Sequence, residues 1–436
     1  MRKTHVSLPL VFILAHSLAS LTWAQVAAPQ TLSLDAALRA AEARTQTHVH
    51  HASEADAAHA MAVAAGQLPD PVLRMSLDNL VVDGAESWSL KSEPMTVTAV
   101  GLMQTFTRED KRAARADRFE QEARLAESRV VMQLTGLRRD TALAWLTRYY
   151  REQQVALLRQ QRDESALLVA ATEAGFRAGS NLQTDVFIAR SELALMDDRI
   201  SEADTKLTNA ITALARWIGT SAAAQLGDAP TISVTRLQSD NLELVLELQP
   251  ELLVLAQQEA VAQAEVELAQ ENKHEDWSVE FMLSRRDPTF GSMVSVGISR
   301  PLQLGQADKQ DRELAAKFAM VQGARSERIE SLRAYLAQTQ SWLDSWKSNL
   351  ERLGIYDTTL IPLALDRTQA ALSAYQGNSA PLATVLDARR AEINLRLERL
   401  RIETETAELW AQLEFLLSPD ASSALVLNSN TNPLEN

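Results

Sequence analysis

The sequence predicts a mainly α-helical fold with a small β part, in which long helical hairpins carry four short strands. Three observations support this fold class. Residues 109–174 contain no proline and a single glycine, and their Ala, Leu, Glu, Arg and Gln content is typical of long helices. Short stretches between the helical segments alternate between apolar and polar side chains, which indicates strands. The whole pattern occurs twice along the chain.

The duplication is clearest at two turn-like segments, AGFRAGSNLQTDV (174–186) and AYQGNSAPLATVLDAR (374–389). Phe176 aligns with Tyr375 and Ser180 with Ser379, an offset of 199 residues. VTAVGLMQTFTREDKRAARA (97–116) likewise parallels VSVGISRPLQLGQADKQDRELAAK (294–317). This period is far longer than that of solenoid repeats, so we expect a duplicated half-molecule with repeats at 25–225 and 226–418.

The first repeat opens with a helical stretch at 34–67, followed by two strands. In PDPVLRMSLDNL the apolar face comprises Leu73, Met75 and Leu77. In MTVTAV the predicted apolar face comprises Met95, Val97 and Ala99. A long helix at 109–174 and a second helix at 182–217 complete the repeat.

The second repeat has the same plan. Its strands have apolar faces at Trp277, Val279, Phe281 and Leu283, and at Val294, Val296 and Ile298. Its long helix is predicted at 307–374 and its partner helix at 382–417. Each long helix would measure about 100 Å and must pack along its neighbour as a coiled-coil hairpin. Gly179 in the first turn, and Gly377 and Asn378 in the second, can adopt the left-handed backbone that reverses the chain.

The ends and composition of the chain limit its function. Residues 1–24 have a basic start, an apolar stretch and small residues before Gln25, so we expect a cleaved signal peptide. Residues 419–436 are rich in Ser, Asn and Pro and are expected to be a disordered tail. The net charge of −14 disfavours nucleic-acid binding, and the lack of cysteine excludes disulfides and thiolate metal sites. No catalytic motif occurs, so neither enzymatic activity nor a cofactor is expected.

No apolar run after residue 24 reaches the roughly 18 residues that a membrane helix needs, so a membrane-spanning part would consist of strands. Four strands are too few to close a barrel, and an open sheet edge is not tolerated in a bilayer. Three chains would supply twelve strands. The sequence therefore predicts a 12-stranded trimeric transmembrane β-barrel continued by a helical tube.

From LSLDAALRAA (32–41) to LWAQLEFLLS (409–418), the chain resembles the TolC family of outer-membrane efflux proteins. The two turns, FRAGSNLQTDVFIARSEL and YQGNSAPLATVLDARRAEI, carry the most specific part of the resemblance. It implies an exit duct in the outer membrane of a Gram-negative bacterium with a periplasmic extension. The implied partners are two further copies of the chain, outer-membrane lipid, a periplasmic adaptor and an inner-membrane RND-type pump. PDPVLRMSLDNL, VGLMQTF and DKR are similar to the heavy-metal cation efflux branch.

Two alternatives remain open. The duct could export drugs or proteins instead of metal cations. A soluble periplasmic coiled-coil adaptor or scaffold would also have a signal peptide and long hairpins, although it would not explain the four strands.

The resemblance implies that the two hairpin tips dock the adaptor. The tip residues are Phe176, Arg177, Gly179 and Ser180 in the first hairpin, and Tyr375, Gly377, Asn378 and Ser379 in the second. Asp185 and Asp387 follow the turns and would form rings of carboxylates at the mouth of a threefold channel. The alternative is that they are acids that interact with a helix N-terminus.

Two further groups are candidate sites. Imidazoles at His48, His51 and His59 could share one helix face and hold Zn or Cu weakly, or could simply be solvated. A basic stripe of arginines could line the tube below the barrel as a pore ring, or could be a solvated or ion-paired helix face. Its members are Arg108, Arg112, Arg115 and Arg118.

Overall fold

The computed structural model describes residues 31–85, 87–90, 93–237, 242–286, 289–377, 379–419 and 421. The predicted signal peptide and most of the predicted tail lie outside these residues, as does Asn378. The mainly helical fold with a four-stranded sheet that the sequence predicts is confirmed.

The described residues include nine α-helices and four strands. The helices are α1 (Leu34–Arg44), α2 (Thr47–Ala65), α3 (Glu109–Arg177), α4 (Gln183–Ile218), α5 (Leu242–Leu246), α6 (Pro250–Glu271), α7 (Gln310–Ile355), α8 (Ile361–Gln376) and α9 (Leu382–Glu414). The strands are β1 (Val72–Asp78), β2 (Val97–Phe106), β3 (Trp277–Arg285) and β4 (Met293–Ser299). Both halves of the chain have the same order of helix, two strands, long helix, turn and helix.

Helix α3 is continuous over 69 residues and forms the first hairpin with α4. At 1.5 Å per residue it is about 100 Å long. Within the described residues, no helix combines the length and the apolarity that a membrane-crossing helix needs.

The long helix of the second hairpin differs from the prediction of one helix over 307–374. Helix α7 ends at Ile355, a π-helical segment follows at Tyr356–Leu360, and α8 continues to Gln376. The physical reason is Pro362, which has no backbone N–H to donate to the carbonyl of Thr358. The Ile361 N–H instead donates to Tyr356 O, five residues earlier, so the helix widens by one residue and then continues.

The four strands form one antiparallel sheet in the order β1-β2-β3-β4. Its register aligns Leu73, Leu102, Phe281 and Val296 in one row, and Met75, Val100, Leu283 and Val294 in the next.

The predicted apolar face of the second strand was therefore wrong by one residue. Val100 and Leu102 lie on the exposed apolar face, whereas Ala99 points the other way and is only 4% exposed. In VTAVGLM both sets of alternating positions contain apolar residues. Only the pairing with β1 and β3 therefore shows which set lies on the apolar face of the sheet.

The main core lies where both hairpins meet α1, α5 and the connecting segment 219–237. Trp145, which is completely buried, donates its indole N–H to Leu32 O at 3.1 Å. Trp346 and Trp410 donate theirs to Ile232 O at 2.9 Å and Val234 O at 3.0 Å. Each indole thus buries a large apolar ring and satisfies its only donor. Trp346 and Trp410 fix the connecting segment against the helices, and Trp145 fixes the residue before α1.

Candidate functional site

The outer face of the sheet is an exposed apolar surface. Ten side chains contribute to it: Leu73, Met75, Leu77, Val100, Leu102, Phe281, Leu283, Val294, Val296 and Ile298. Each is between 45% and 75% exposed. A contiguous apolar surface of this kind is unusual on a monomeric water-soluble protein and marks a surface that is covered by another apolar phase or partner.

The opposite face of the sheet mixes charged, small and apolar residues. Arg74 and Glu280 form an ion pair across it at 3.2 Å, and Ser76, Ser284 and Ser295 share the face. Gly101 allows the central strands to approach closely, because a Cβ there would lie 2.7 Å from the carbonyl oxygen of Phe281. Met103, Met282 and Met293 also lie on this face. The sheet therefore has one strongly apolar face and one mixed face that carries its cross-strand ion pair.

Both edges of this sheet are open within the part of the chain that the structure describes. There, β1 pairs only with β2 and β4 only with β3, so each outer strand has a row of backbone donors and acceptors without a strand partner. Unpaired edges beside an exposed apolar face cannot persist in an apolar environment, because each unsatisfied backbone group there costs several kcal/mol. Additional strands from other chains would remove this cost.

The two hairpin tips share a turn geometry. In the first, the backbone N–H and the hydroxyl of Ser180 both donate to Gly175 O, at 2.9 and 3.0 Å. In the second, the same groups of Ser379 donate to Ala374 O, both at 2.9 Å. Phe176, Arg177 and Ser180 are exposed, whereas Tyr375 is half-buried against the apolar contact between the hairpins.

The backbone of Gly179 is left-handed, with φ of +79°, as the sequence predicts. The prediction for Gly377 was wrong, since its φ is −79°. The offset of 199 residues aligns Gly377 with Ala178, which also has a right-handed backbone, and aligns Gly179 with Asn378.

Matched alanine substitutions test this difference between the tips. Gly179→Ala places a Cβ on a left-handed residue and should destabilise the first turn by about 1 kcal/mol. Gly377→Ala should be neutral or slightly stabilising, because its backbone suits alanine and its nearest contact, Ser373 O, would be 3.4 Å away. Amide hydrogen exchange at each tip measures both effects. Equal losses of protection in the two variants would contradict the assignment.

Charged side chains link the two hairpins just beyond the tips. Arg390 in α9 forms an ion pair with Glu192 in α4, and its other guanidinium nitrogen lies 3.1 Å from Asp387. Arg389 contacts Glu164 in α3 at 2.8 Å. Ala189 of α4 packs beside them against Leu382, Val385 and Ala388 of α9. Sequence analysis missed these arginines, although the adjacent pair of basic residues after the turn was a usable signal.

The two predicted gate aspartates have different surroundings. Asp185 accepts a hydrogen bond from the Leu182 backbone N–H at 3.1 Å, which is the geometry of an acid at a helix N-terminus. Asp387 is exposed and contacts Arg390. Both contacts fit a structural role within one chain, and a ring of carboxylates around a pore stays a proposal.

The arginine stripe is largely engaged by neighbours. Arg112 donates to Gly66 O at 2.9 Å, which ties α3 to the end of α2. Arg118 contacts Glu122 at 2.6 Å and Glu265 at 3.8 Å, and Arg108 contacts Asp110 at 3.4 Å. Arg115 is half-buried. These contacts favour the ion-paired interpretation of the stripe.

The structure does not bring His48, His51 and His59 together, so this predicted grouping needs correction. His51 lies instead beside His50 and Glu54, and the ligand atoms of these three residues all lie within 4.8 Å of one another. The ring of His59 reaches across to α3, with Nδ1 3.0 Å from Glu120 and Nε2 3.4 Å from Glu127. The positions of the histidines around the helix did not predict these contacts, because the partners of His59 are acidic residues of another helix, α3.

The contacts of His59 predict that docking of α2 on α3 depends on pH. The hydrogen bonds to Glu120 and Glu127 raise the pKa of His59, because the imidazolium can donate to both carboxylates. A raised pKa in the folded state means that this stabilisation is fully present below the ordinary value near 6.5 and is lost as the pH rises through the folded-state pKa. We expect the hydrogen-exchange protection factors of α2 to exceed those of His59→Gln at about pH 5.5, and this excess to shrink at about pH 8.5. His274→Gln, at the exposed turn after α6, is the matched control and should show no such pH dependence.

No protein-family model matches the chain, and no curated protein sequence matches it. Comparison of structures finds proteins with a similar fold. The crystal structure of CusC, a protein that forms a transmembrane channel, is 15% identical with a TM-score of 0.74 and covers 89% of this chain and 92% of CusC. The outer membrane protein VceC from Vibrio cholerae is 16% identical with a TM-score of 0.71, over 88% and 95% of the two chains.

The Campylobacter jejuni outer membrane channel CmeC extends the match to 98% of both chains, at 12% identity and a TM-score of 0.72. The chain therefore has the fold of outer-membrane channels. The TolC-like fold predicted from the two turns and the repeated plan is confirmed.

Proposed function

We propose that this chain is the outer-membrane exit duct of a tripartite efflux system in a Gram-negative bacterium. The observation that carries the proposal is the sheet, which has an exposed apolar face, a mixed reverse face with an ion pair across it, and two edge strands without a second neighbour among the described residues. Three copies would pair β4 of one chain with β1 of the next and close a barrel of twelve strands. Lipid would cover the apolar face, and the reverse face, with its charged and small side chains, would surround water.

The hairpins extend this proposal to a periplasmic tube. Helices of about 100 Å that are packed lengthwise would continue the barrel as a conduit. The duct would conduct passively, with energy supplied by an inner-membrane RND-type pump through a periplasmic adaptor. The adaptor would dock at the tips described above. The similarity of the fold to CusC, VceC and CmeC supports the channel assignment.

Opening of the duct would separate the two hairpins near their tips. The contacts of Arg389 with Glu164 and of Arg390 with Glu192 join the hairpins and would hold the closed state. The arginines are 29% and 44% exposed at their side chains, and ion pairs with this much solvent contribute at most about 1 kcal/mol each. An adaptor that binds the tips could therefore displace them.

For the transported substrate we propose heavy-metal cations, on the resemblance of PDPVLRMSLDNL, VGLMQTF and DKR to that branch of the TolC family. Expression in a strain that lacks its own duct, together with a matching pump and adaptor, distinguishes the substrates. Restored growth in zinc or copper salts supports metal cations. Restored drug tolerance without metal tolerance would assign the duct to drug export.

The decisive experiment is the mass and heat sensitivity of the detergent-extracted protein. Light scattering should give three chains, an unheated gel should show a compact species that heating converts to the monomer, and the protein should fractionate with the outer membrane. A monomer or dimer that needs no detergent would refute the duct and favour a soluble adaptor or scaffold.

A further inference from the structure

Three metal-ligating side chains converge at the start of α2, away from the sheet and the tips. His50 Nε2 lies 3.3 Å from Glu54 Oε1, and His51 Nδ1 lies 2.7 Å from Glu54 Oε2. The carboxylate thus sits between the two imidazoles, whose ring centroids are 5.0 Å apart. Spacings of three and four residues place all three side chains over one turn of the helix.

These distances suit a small transition-metal ion. Bonds of about 2.0–2.1 Å to a tetrahedral ion place its ligand atoms about 3.3 Å apart. The His50 and Glu54 atoms already have this separation, whereas His51 Nδ1, at 2.7 Å from Glu54, must give up its hydrogen bond to bind the ion. The three ligand atoms all lie within 4.8 Å of one another. We propose that His50, His51 and Glu54 bind a divalent transition-metal ion, with Zn²⁺ as the best match and water as the fourth ligand.

The donor set determines the class of metal. Two imidazole nitrogens and one carboxylate oxygen suit borderline divalent ions such as Zn²⁺ and Cu²⁺, whereas monovalent soft ions prefer sulfur ligands. The side chain of His51 is only 16% exposed, so packing already limits its orientation, while His50 and Glu54 are open to solvent at 68% and 42%. The site is therefore partly preorganised and accessible from water. Arg129 acts electrostatically on Glu54, and its positive charge would weaken binding of the metal.

The metal site would lie in the first two turns of α2. The N-terminus of α2 has Gln46 as its cap residue with no side-chain capping hydrogen bond, and its first turn carries no acidic residue. A chelate across one turn would hold this uncapped end in helical form, since all three ligands must keep their helical spacing. Zn²⁺ should thus protect the first two turns of α2 from hydrogen exchange.

Isothermal titration of ZnCl₂ into the purified full chain tests the site directly. We expect one Zn²⁺ per chain in the wild type, and binding at least about tenfold weaker in the His50→Ala/His51→Ala variant and in Glu54→Gln. The matched control is His48→Ala, which removes a histidine of the same helix outside the three-residue group and should bind like the wild type. Alanine is a better helix former than histidine, so neither histidine variant should unfold α2.

Hydrogen exchange gives an independent readout. Added ZnCl₂ should slow exchange in residues 47–54 of the wild type and of the control, but not of His50→Ala/His51→Ala. The inference is overturned if wild type shows no binding, if His50→Ala/His51→Ala binds as the wild type does, or if the control loses the site. None of these outcomes bears on the duct proposal, because the titration requires neither a membrane nor a pump.

Discussion

Val296→Arg should abolish assembly of the trimer in the outer membrane. Val296 is the central residue of β4, is 68% exposed and pairs with Phe281 on the apolar face of the sheet. An arginine facing lipid at the middle of a barrel strand costs about 2–4 kcal/mol. Three copies would cost about 6–12 kcal/mol, which is comparable to the whole stability of a folded domain. Outer-membrane fractionation and the heat-sensitive gel species measure the loss.

Ser295→Arg is the matched control for this substitution. Ser295 is the neighbouring residue of the same strand, so its side chain points to the opposite face, where Arg74 and Glu280 already place charges. This variant should assemble like the wild type. If both variants assemble equally well, the apolar face is not in contact with lipid and the duct proposal fails.

Cross-linking Glu192→Cys to Arg390→Cys should abolish transport. The two native side chains form the ion pair between α4 and α9, so a covalent link there prevents separation of the hairpins. The chain has no cysteine of its own, so only the introduced pair can react. A disulfide requires Cα atoms within about 7 Å, and a short bifunctional maleimide is therefore the better reagent. Transport by the variant should be normal before the reagent is added and fall to the background of a duct-free strain afterwards.

A link within one hairpin serves as the control. Glu173→Cys with Arg190→Cys replaces an ion pair of 2.6 Å between α3 and α4. Joining these helices leaves the first hairpin free to move as a unit, so transport should survive the reagent. Full transport with the Glu192–Arg390 pair linked would show that opening does not require the hairpins to separate.

Local patterns in the sequence predicted most of the fold, because they are repeated and strong. Helix α3 was predicted to within a few residues, and the apolar faces of β1, β3 and β4 follow directly from alternation. The phase of β2 was missed because both of its faces include apolar residues, and hydrogen-bonded register alone selects one. The π-helical segment was missed because the effect of Pro362 was not considered along an otherwise helical pattern.

The candidate sites were harder to predict, because they depend on contacts between distant segments. The sequence indicated the turns, but Arg390 meets Glu192 across 198 residues of chain. His59 shares a helix face with His48 by arithmetic, yet its contacts are to Glu120 and Glu127 of another helix. A contact between two helices depends on the residues of both. Helical periodicity shows which residues share a face of one helix, but not which residues of the other helix lie opposite.

The duplication has an evolutionary consequence. Since each half of the chain supplies two strands and one hairpin, an ancestor of half the length could have closed the proposed twelve-stranded barrel as a ring of six identical chains. Fusion of two copies would have freed each half to diverge. The π-helical segment lies only in the second half of the described chain, and only the first turn has a described left-handed glycine. A partner that meets the assembled ring would therefore encounter two kinds of tip in alternation, where the ancestor presented one.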